Sequence, residues 1–239
     1  MKHHIVAACF IVSPHLVFAQ RTIDVSKADV TVGASNYFTV GGQPFVNTKF
    51  VELIEGTPYF NAAYLKAVGV DENGYEYKNL IVKLDLFDKQ ILYMEKGKEY
   101  IATTRLKEII ITDSAGLNYK FVHFDFLNKS GKVIGENFYQ WLTSGKTSLY
   151  KEHKKTLTEH KAFASSLTQQ KIYTKEKYLI FYNNAFMEAK KLKDVPSVLA
   201  NKKTELEDFL KNNDDKNAAM DDRFKAIIDY YNSLFEDKK

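Results

Sequence analysis

The sequence predicts an α+β fold that is mainly β: an antiparallel sheet, meander- or sandwich-like, followed by two C-terminal amphipathic helices. Three observations predict it. Short runs of β-forming residues are separated by glycine-containing pairs at turn positions. Apolar and polar residues alternate along several of these runs. Beyond Pro196 the apolar spacing becomes helical.

At the N-terminus, Lys2 precedes an apolar run from Ile5 to Phe18, broken by Ser13, Pro14 and His15, and Val17-Phe18-Ala19 leads into Gln20. This is the layout of a secretory signal peptide, and cleavage after Ala19 is expected. A membrane-spanning helix needs about 20 apolar residues, and Pro14 would break this one. Val6-Ala7-Ala8-Cys9 has the residue types of a lipoprotein signal. The apolar run before Cys9 falls short of the roughly 7–15 residues that export requires. Residues 1–19 are therefore expected to be removed, with residues 20–192 forming the β-rich domain and residues 193–239 a helical pair packed on it. The expected destination is the periplasm, the outer-membrane face or the exterior, with no transmembrane span in the mature chain.

Cys9 is the only cysteine, so the mature chain is expected to use neither disulfides nor thiol chemistry. A chain of this length buries roughly 70% of its surface, and 45% hydrophobic residues, including 17 Phe and 15 Tyr, supply the core. Removing Lys2 lowers the formal charge from +4 to +3. That balance is too weak and too interspersed for a nucleic-acid footprint, and no nucleic-acid partner is expected.

Each strand follows from its pattern. Gly41-Gly42, Asn73-Gly74, Lys96-Gly97, Ala115-Gly116, Ser130-Gly131 and Ser144-Gly145 mark hairpin turns. Leu80, Val82, Leu84 and Leu86 point to one face, with Ile81, Lys83, Asp85 and Phe87 on the other. In "NYKFVHFDF", Val122, Phe124 and Phe126 oppose Tyr119, Phe121, His123 and Asp125. Aromatic area on both faces predicts a central strand, covered on both sides or lining a groove. "FYQWL" sets Tyr139 and Trp141 opposite Phe138 and Leu142.

Residues 150–165 fit helix or strand; Thr147, Ser148, Thr156 and Thr158 favour a long exposed strand, with a loop near Ser165 to Lys175. "KYLIFYNNAFMEAKKL" predicts a hairpin turning at Asn183-Asn184. Pro196 suits a first helical turn, and Leu199, Leu206, Phe209 and Leu210 follow at helical spacing. Met220, Phe224, Ile227, Ile228, Tyr231, Leu234 and Phe235 form the stripe of a second helix, reached through the polar hinge "KNNDDKNAA". No internal repeat or low-complexity tract stands out.

The stretch from Val51 to Met94, with Gly56, Pro58, Tyr59, Gly74, Tyr77, Asn79 and Asp85, resembles uncharacterised secreted proteins of Bacteroidetes bacteria. The ending "FLKNNDDKNAAMDDRFKAIIDYYNSL" is similar to the helical close of the same family. The resemblance implies export and a β-rich fold with terminal helices. It implies no activity, ligand or catalytic residue.

Candidate sites are few. His123 and Asp125 share a strand face, a spacing that lets a carboxylate orient an imidazole for general-base work. No G-x-S-x-G elbow accompanies them, and a structural histidine is the better reading. His153 and His160 in "EHKKTLTEH" lie too far apart for an i, i+4 metal pair and read as solvated surface. In the hinge, Asn213, Asp215 and Asn217 fall at EF-hand positions, but Ala218 replaces the required Gly and Phe224 the bidentate Glu. No metal and no cofactor is expected. Tyr75, Tyr77, Tyr119, Tyr139 and Trp141 are the candidates for a stacking platform that takes sugars or peptides.

These readings favour an exported, non-catalytic envelope protein that binds a protein, glycan or lipid through its sheet. The alternatives are a hydrolase-like enzyme using His123 and Asp125, favoured by a polar cleft containing His123, and a structural subunit docked through its terminal helices, favoured by an exposed stripe at Ile227 and Tyr231.

Overall fold

The computed structural model describes residues 22–24, 43–44, 51–95, 97–123, 137–161, 163 and 167–235. Thirteen strands form one sheet: β1 (Thr22–Asp24), β2 (Gln43–Pro44), β3 (Val51–Glu55), β4 (Leu65–Asp71), β5 (Glu76–Asp85), β6 (Gln90–Glu95), β7 (Lys98–Ile101), β8 (Leu106–Thr112), β9 (Asn118–His123), β10 (Phe138–Thr143), β11 (Ser148–Lys161), β12 (Thr168–Tyr182) and β13 (Ala185–Ala189). The order runs β13-β12-β11-β10-β9-β8-β4-β5-β6-β7-β2. Every pairing along it is antiparallel, as the turn signals predict. The sheet as a whole is mixed, because β1 joins β5 and β3 joins β12 in parallel. Both additions come from the N-terminal part of the chain. They reach strands remote in sequence, where no tight turn dictates an antiparallel partner.

The alternation of β5 is realised. Leu80, Val82, Leu84 and Leu86 are buried in a first core with Tyr77, Ile109, Ile111, Phe121 and Phe138, while Ile81 is exposed. Asp85 departs from its expected outer position: it is buried, and its carboxylate accepts the amide N–H groups of Phe87 (2.8 Å) and Asp88 (2.9 Å). β9 is covered on both faces, with Phe121 in the first core and Val122 in another with Tyr139, Tyr150 and Leu179.

The hairpins β4–β5 and β8–β9 repeat one turn. In each, an aspartate Oδ1 accepts two backbone N–H groups: Asp71 from Asn73 and Tyr75, both 2.9 Å, and Asp113 from Ala115 (2.8 Å) and Leu117 (2.9 Å). A tyrosine hydroxyl donates to the other oxygen, Tyr77 to Asp71 at 3.3 Å and Tyr119 to Asp113 at 3.1 Å. Gly74 and Gly116 supply the left-handed residue, each at φ 82°. Val68 lies opposite Ile110 in the β4–β8 ladder, with the same sequence separation as Asp71 and Asp113. The two hairpins are thus related by a local two-fold through that pair. The pattern D-x-x-G-x-x-Y-K, at Asp71–Lys78 and Asp113–Lys120, is an internal repeat that the sequence analysis missed.

Residues 150–161 are strand. β11 and β12 form a long hairpin paired continuously from Ser148↔Phe181 to Lys161↔Thr168. Thr168 to Lys175, most of the segment expected as a loop, is strand. Asn183 (φ 49°) and Asn184 (φ 59°) make the tight turn into β13. The turns expected at Gly41-Gly42 and Ser130-Gly131, and the signal-peptide segment, lie outside the described residues.

Among the described residues the C-terminal part holds three α-helices, not two: α1 (Val195–Val198), α2 (Lys203–Asn213) and α3 (Met220–Ser233). Leu199 leaves helical geometry at φ −103°, ψ 57° and inserts its side chain completely into the core, which splits the first predicted helix. Phe224, Ile227, Ile228 and Tyr231 of α3 pack with Leu149, Ile180, Leu199 and Leu206 in a second core between helices and sheet. Ile227 and Tyr231 are fully buried, so the exposure that would favour the structural-subunit alternative is not found at these residues.

Candidate functional site

The five aromatic residues expected on one platform are divided by the sheet. Tyr77 is fully buried in the first core, with Tyr75 and Tyr119 packed against it. Tyr139 is buried in the core on the opposite face, with Trp141 packed against it. Burial and the charge of Glu152 push the Tyr139 hydroxyl above its ordinary pKa. Trp141 is half-buried and makes three contacts. Its indole N–H donates to the Thr143 carbonyl (2.9 Å), its ring stacks on Tyr150 at 6.0 Å, and the Lys120 ammonium lies 3.9 Å from the ring centre. Alternation assigns faces within a strand but not between β9 and β10, which is why the grouping fails.

His123 ends β9 opposite Phe138, its ring edge-on to that side chain at 4.9 Å. It lines a cleft of about 230 Å³ with Lys89, Gln90, Thr104 and Arg105. Asp125, its expected partner, lies outside the described residues.

A second polar cluster was not anticipated. Lys151 of β11 is buried at 6% exposure, and its ammonium lies 2.7 Å from Glu176 Oε1 of β12 and 3.0 Å from Asp221 Oδ1 of α3. The Tyr178 hydroxyl donates to the same Asp221 oxygen at 2.5 Å, and the Tyr178 ring stacks on Phe224 at 3.9 Å. His153, two residues along β11, sits with Nε2 2.7 Å from Gln140 Oε1 and Nδ1 3.6 Å from Glu176. Burial, then the charge of Lys151, lowers its pKa to about 4. The ring is therefore neutral at pH 7, and Nε2 carries the proton that Gln140 accepts. His153 is thus buried, a correction to the solvated surface expected for it; His160 is exposed. Two carboxylates bracket Lys151, so the group works as a strut joining β11 and β12 to α3. The sequence carries no signal for it: Lys151 and His153 fall on the strand face opposite Tyr150, where charged residues read as solvated.

Exposed apolar side chains collect elsewhere, at the far end of the β11–β12 hairpin. Phe163 at the apex is fully exposed, and Leu167 (38%), Leu53 (42%), Ile54 (43%) and, further along β12, Tyr173 (48%) are exposed on the same part of the hairpin and on β3 beside it. β3 lies in parallel register there, with Gln170 opposite Leu53 and Lys171 Nζ 2.9 Å from Glu55. Leu53 shares the face of Gln170, whereas Tyr173 has the opposite parity, so the tip is apolar on both faces. Lys154, Lys161 and Lys175 are exposed along its sides.

The fold and these sites define a mainly β α+β protein. Comparison with known protein families, with curated proteins and with solved structures finds no match to the chain. Among the described residues, no helix is long and apolar enough to cross a membrane.

Proposed function

We propose that the chain is an exported, non-catalytic envelope protein that seats on a lipid surface through the tip of its long hairpin. The observation that carries this reading is the exposure of apolar side chains on both faces of the outer part of the hairpin and of β3 beside it: Phe163, Leu167, Tyr173, Leu53 and Ile54. A protein partner covers one face of such a projection, whereas a bilayer interface surrounds it. Exposed lysines along the hairpin, Lys161 near the tip and Lys154 and Lys175 further back, suit the arrangement, because ammonium groups are drawn to anionic headgroups. The export-like N-terminal segment and the resemblance to secreted Bacteroidetes proteins support the same reading.

Co-sedimentation with phosphatidylethanolamine–phosphatidylglycerol vesicles tests it. The protein is expected in the pellet, and Phe163→Ser/Leu167→Ser is expected in the supernatant. A parent protein that stays in solution at every lipid concentration overturns the reading. The second reading, a hydrolase working through His123, draws on the cleft that this side chain lines beside Arg105. Turnover of a chromogenic ester that disappears in a folded His123→Ala variant would carry it.

A further inference from the structure

A cleft of about 400 Å³ lies between the β12–β13 hairpin and the helices. We infer that it binds a single-chain amphiphile with an anionic head, the chain lying on the apolar floor and the head reaching the lysines at the rim. The inference is independent of the proposed seating on lipid, since it uses the other end of β12.

The floor is built by core residues. Leu192 and Phe224 are buried, and Tyr178 backs Phe224 as a stacked ring. Leu210 is half-buried beside them, and Met220 lines the cleft at 46% exposure, an apolar and polarisable side chain left in water at the start of α3. One wall is the Arg223–Asp214 pair, bidentate at 2.8 and 2.7 Å, and Arg223 holds the Asp214 carboxyl below the usual carboxylate range. That pair is neutral and satisfied within itself, so it offers no charge to a ligand.

The rim is different. Lys190, Lys191 and Lys193 line the same cleft, all exposed, and among the described residues none of their ammonium groups has an ion-pair partner. An apolar floor beneath an uncompensated cationic rim selects its ligand by chemistry. A neutral chain leaves the lysines unanswered, a cationic one is repelled, and a small inorganic anion leaves the floor wet. An anionic head on an alkyl chain answers both, and the volume falls in the range of small-molecule sites, about 300–1,000 Å³.

Isothermal titration of the purified protein with decanoate and with decyl phosphate tests the inference and separates a carboxylate from a phosphate head. Saturable one-to-one binding of either is expected. It should weaken at least tenfold in Lys191→Glu/Lys193→Glu, whose changes are on the surface, and in Leu210→Trp, which fills the floor. Phe163→Ser/Leu167→Ser should bind as the parent does, which keeps failure here distinct from failure at the hairpin tip. The inference is overturned if neither ligand saturates the protein, or if decyltrimethylammonium binds as tightly. Affinity unchanged by the charge reversal, or acetate or inorganic phosphate matching the decyl ligands, also overturns it.

Discussion

The ammonium group of Lys151 on β11 lies 3.0 Å from the carboxylate of Asp221 on α3. This contact ties a helix to a strand beside the apolar core that Phe224, Ile227, Ile228 and Tyr231 build with Leu149 and Ile180. Asp221→Ala removes one of two carboxylates from a buried cation and takes the acceptor from the Tyr178 hydroxyl. A loss on the order of 3 kcal/mol is expected in urea unfolding. Lys151→Met combined with Asp221→Leu should recover part of it, because an apolar pair replaces these two ions while the Tyr178 hydroxyl still lacks its acceptor. A single variant as stable as the parent would show that the strut contributes nothing.

His153 makes stability depend on pH. Its pKa is lowered to about 4 in the folded chain, against about 6.5 when unfolded. The unfolded state therefore takes up the proton first as pH falls. The contribution of the neutral ring is fully present above pH 6.5 or so and is lost between there and about pH 4, a swing of about 3 kcal/mol. His153→Gln keeps a partner for Gln140 and removes the titration. The difference between the two unfolding free energies, plotted against pH, should slope through that window and be flat above it.

Asn232 of α3 holds the β10–β11 turn by accepting the Thr147 N–H at 2.9 Å and donating to the Thr147 carbonyl at 3.1 Å. Gly145 leaves room for it: a Cβ there would stand 2.5 Å from the Asn232 Nδ2 and 2.6 Å from its Cγ. Asn232→Ala is expected to destabilise by about 2 kcal/mol, since two buried backbone groups lose their partner. Gly145→Ala should be damaging in the parent and far milder in the Asn232→Ala background. Simple additivity of the two in thermal unfolding would refute the contact.

What the sequence made legible follows from how local each signal is. Leu80 to Leu86 in β5 and Phe224 to Tyr231 in α3 announce their buried faces because one element's own period fixes them. The Asn183-Asn184 turn was equally plain, since few residues accept positive φ. The parallel additions β1 and β3 were not, because their partners β5 and β12 lie far along the chain. The aromatic platform failed for a related reason. Tyr119 and Tyr139 belong to adjacent strands, and only their register, with Tyr139 opposite Val122, shows that they face apart. Lys151 and His153 look like surface residues by type; Asp221 of α3 meets Lys151, and Gln140, Phe60 and Phe121 surround the His153 ring.

Gly56 closes β3 at φ 81°, and a Cβ on it would stand 1.9 Å from the backbone oxygen of Ile172 in β12. Backbone cannot yield as a flexible side chain does, so Gly56→Ala must move the end of β3 away from the hairpin. The Glu55–Lys171 pairing and its 2.9 Å ion pair would go with it. Gly74 and Gly116 make the comparison sharp. Both have positive φ, yet a Cβ on either meets nothing within 4 Å. Alanine at those two turns should therefore lose only the conformational term, about 1–2 kcal/mol each. At position 56 the loss should be clearly larger, and amide hydrogen exchange should show residues 51–55 unprotected while the rest of the sheet is unchanged. Three equal losses, with β3 still protected, would mean that β3 is held to the hairpin by something other than this close approach of backbones.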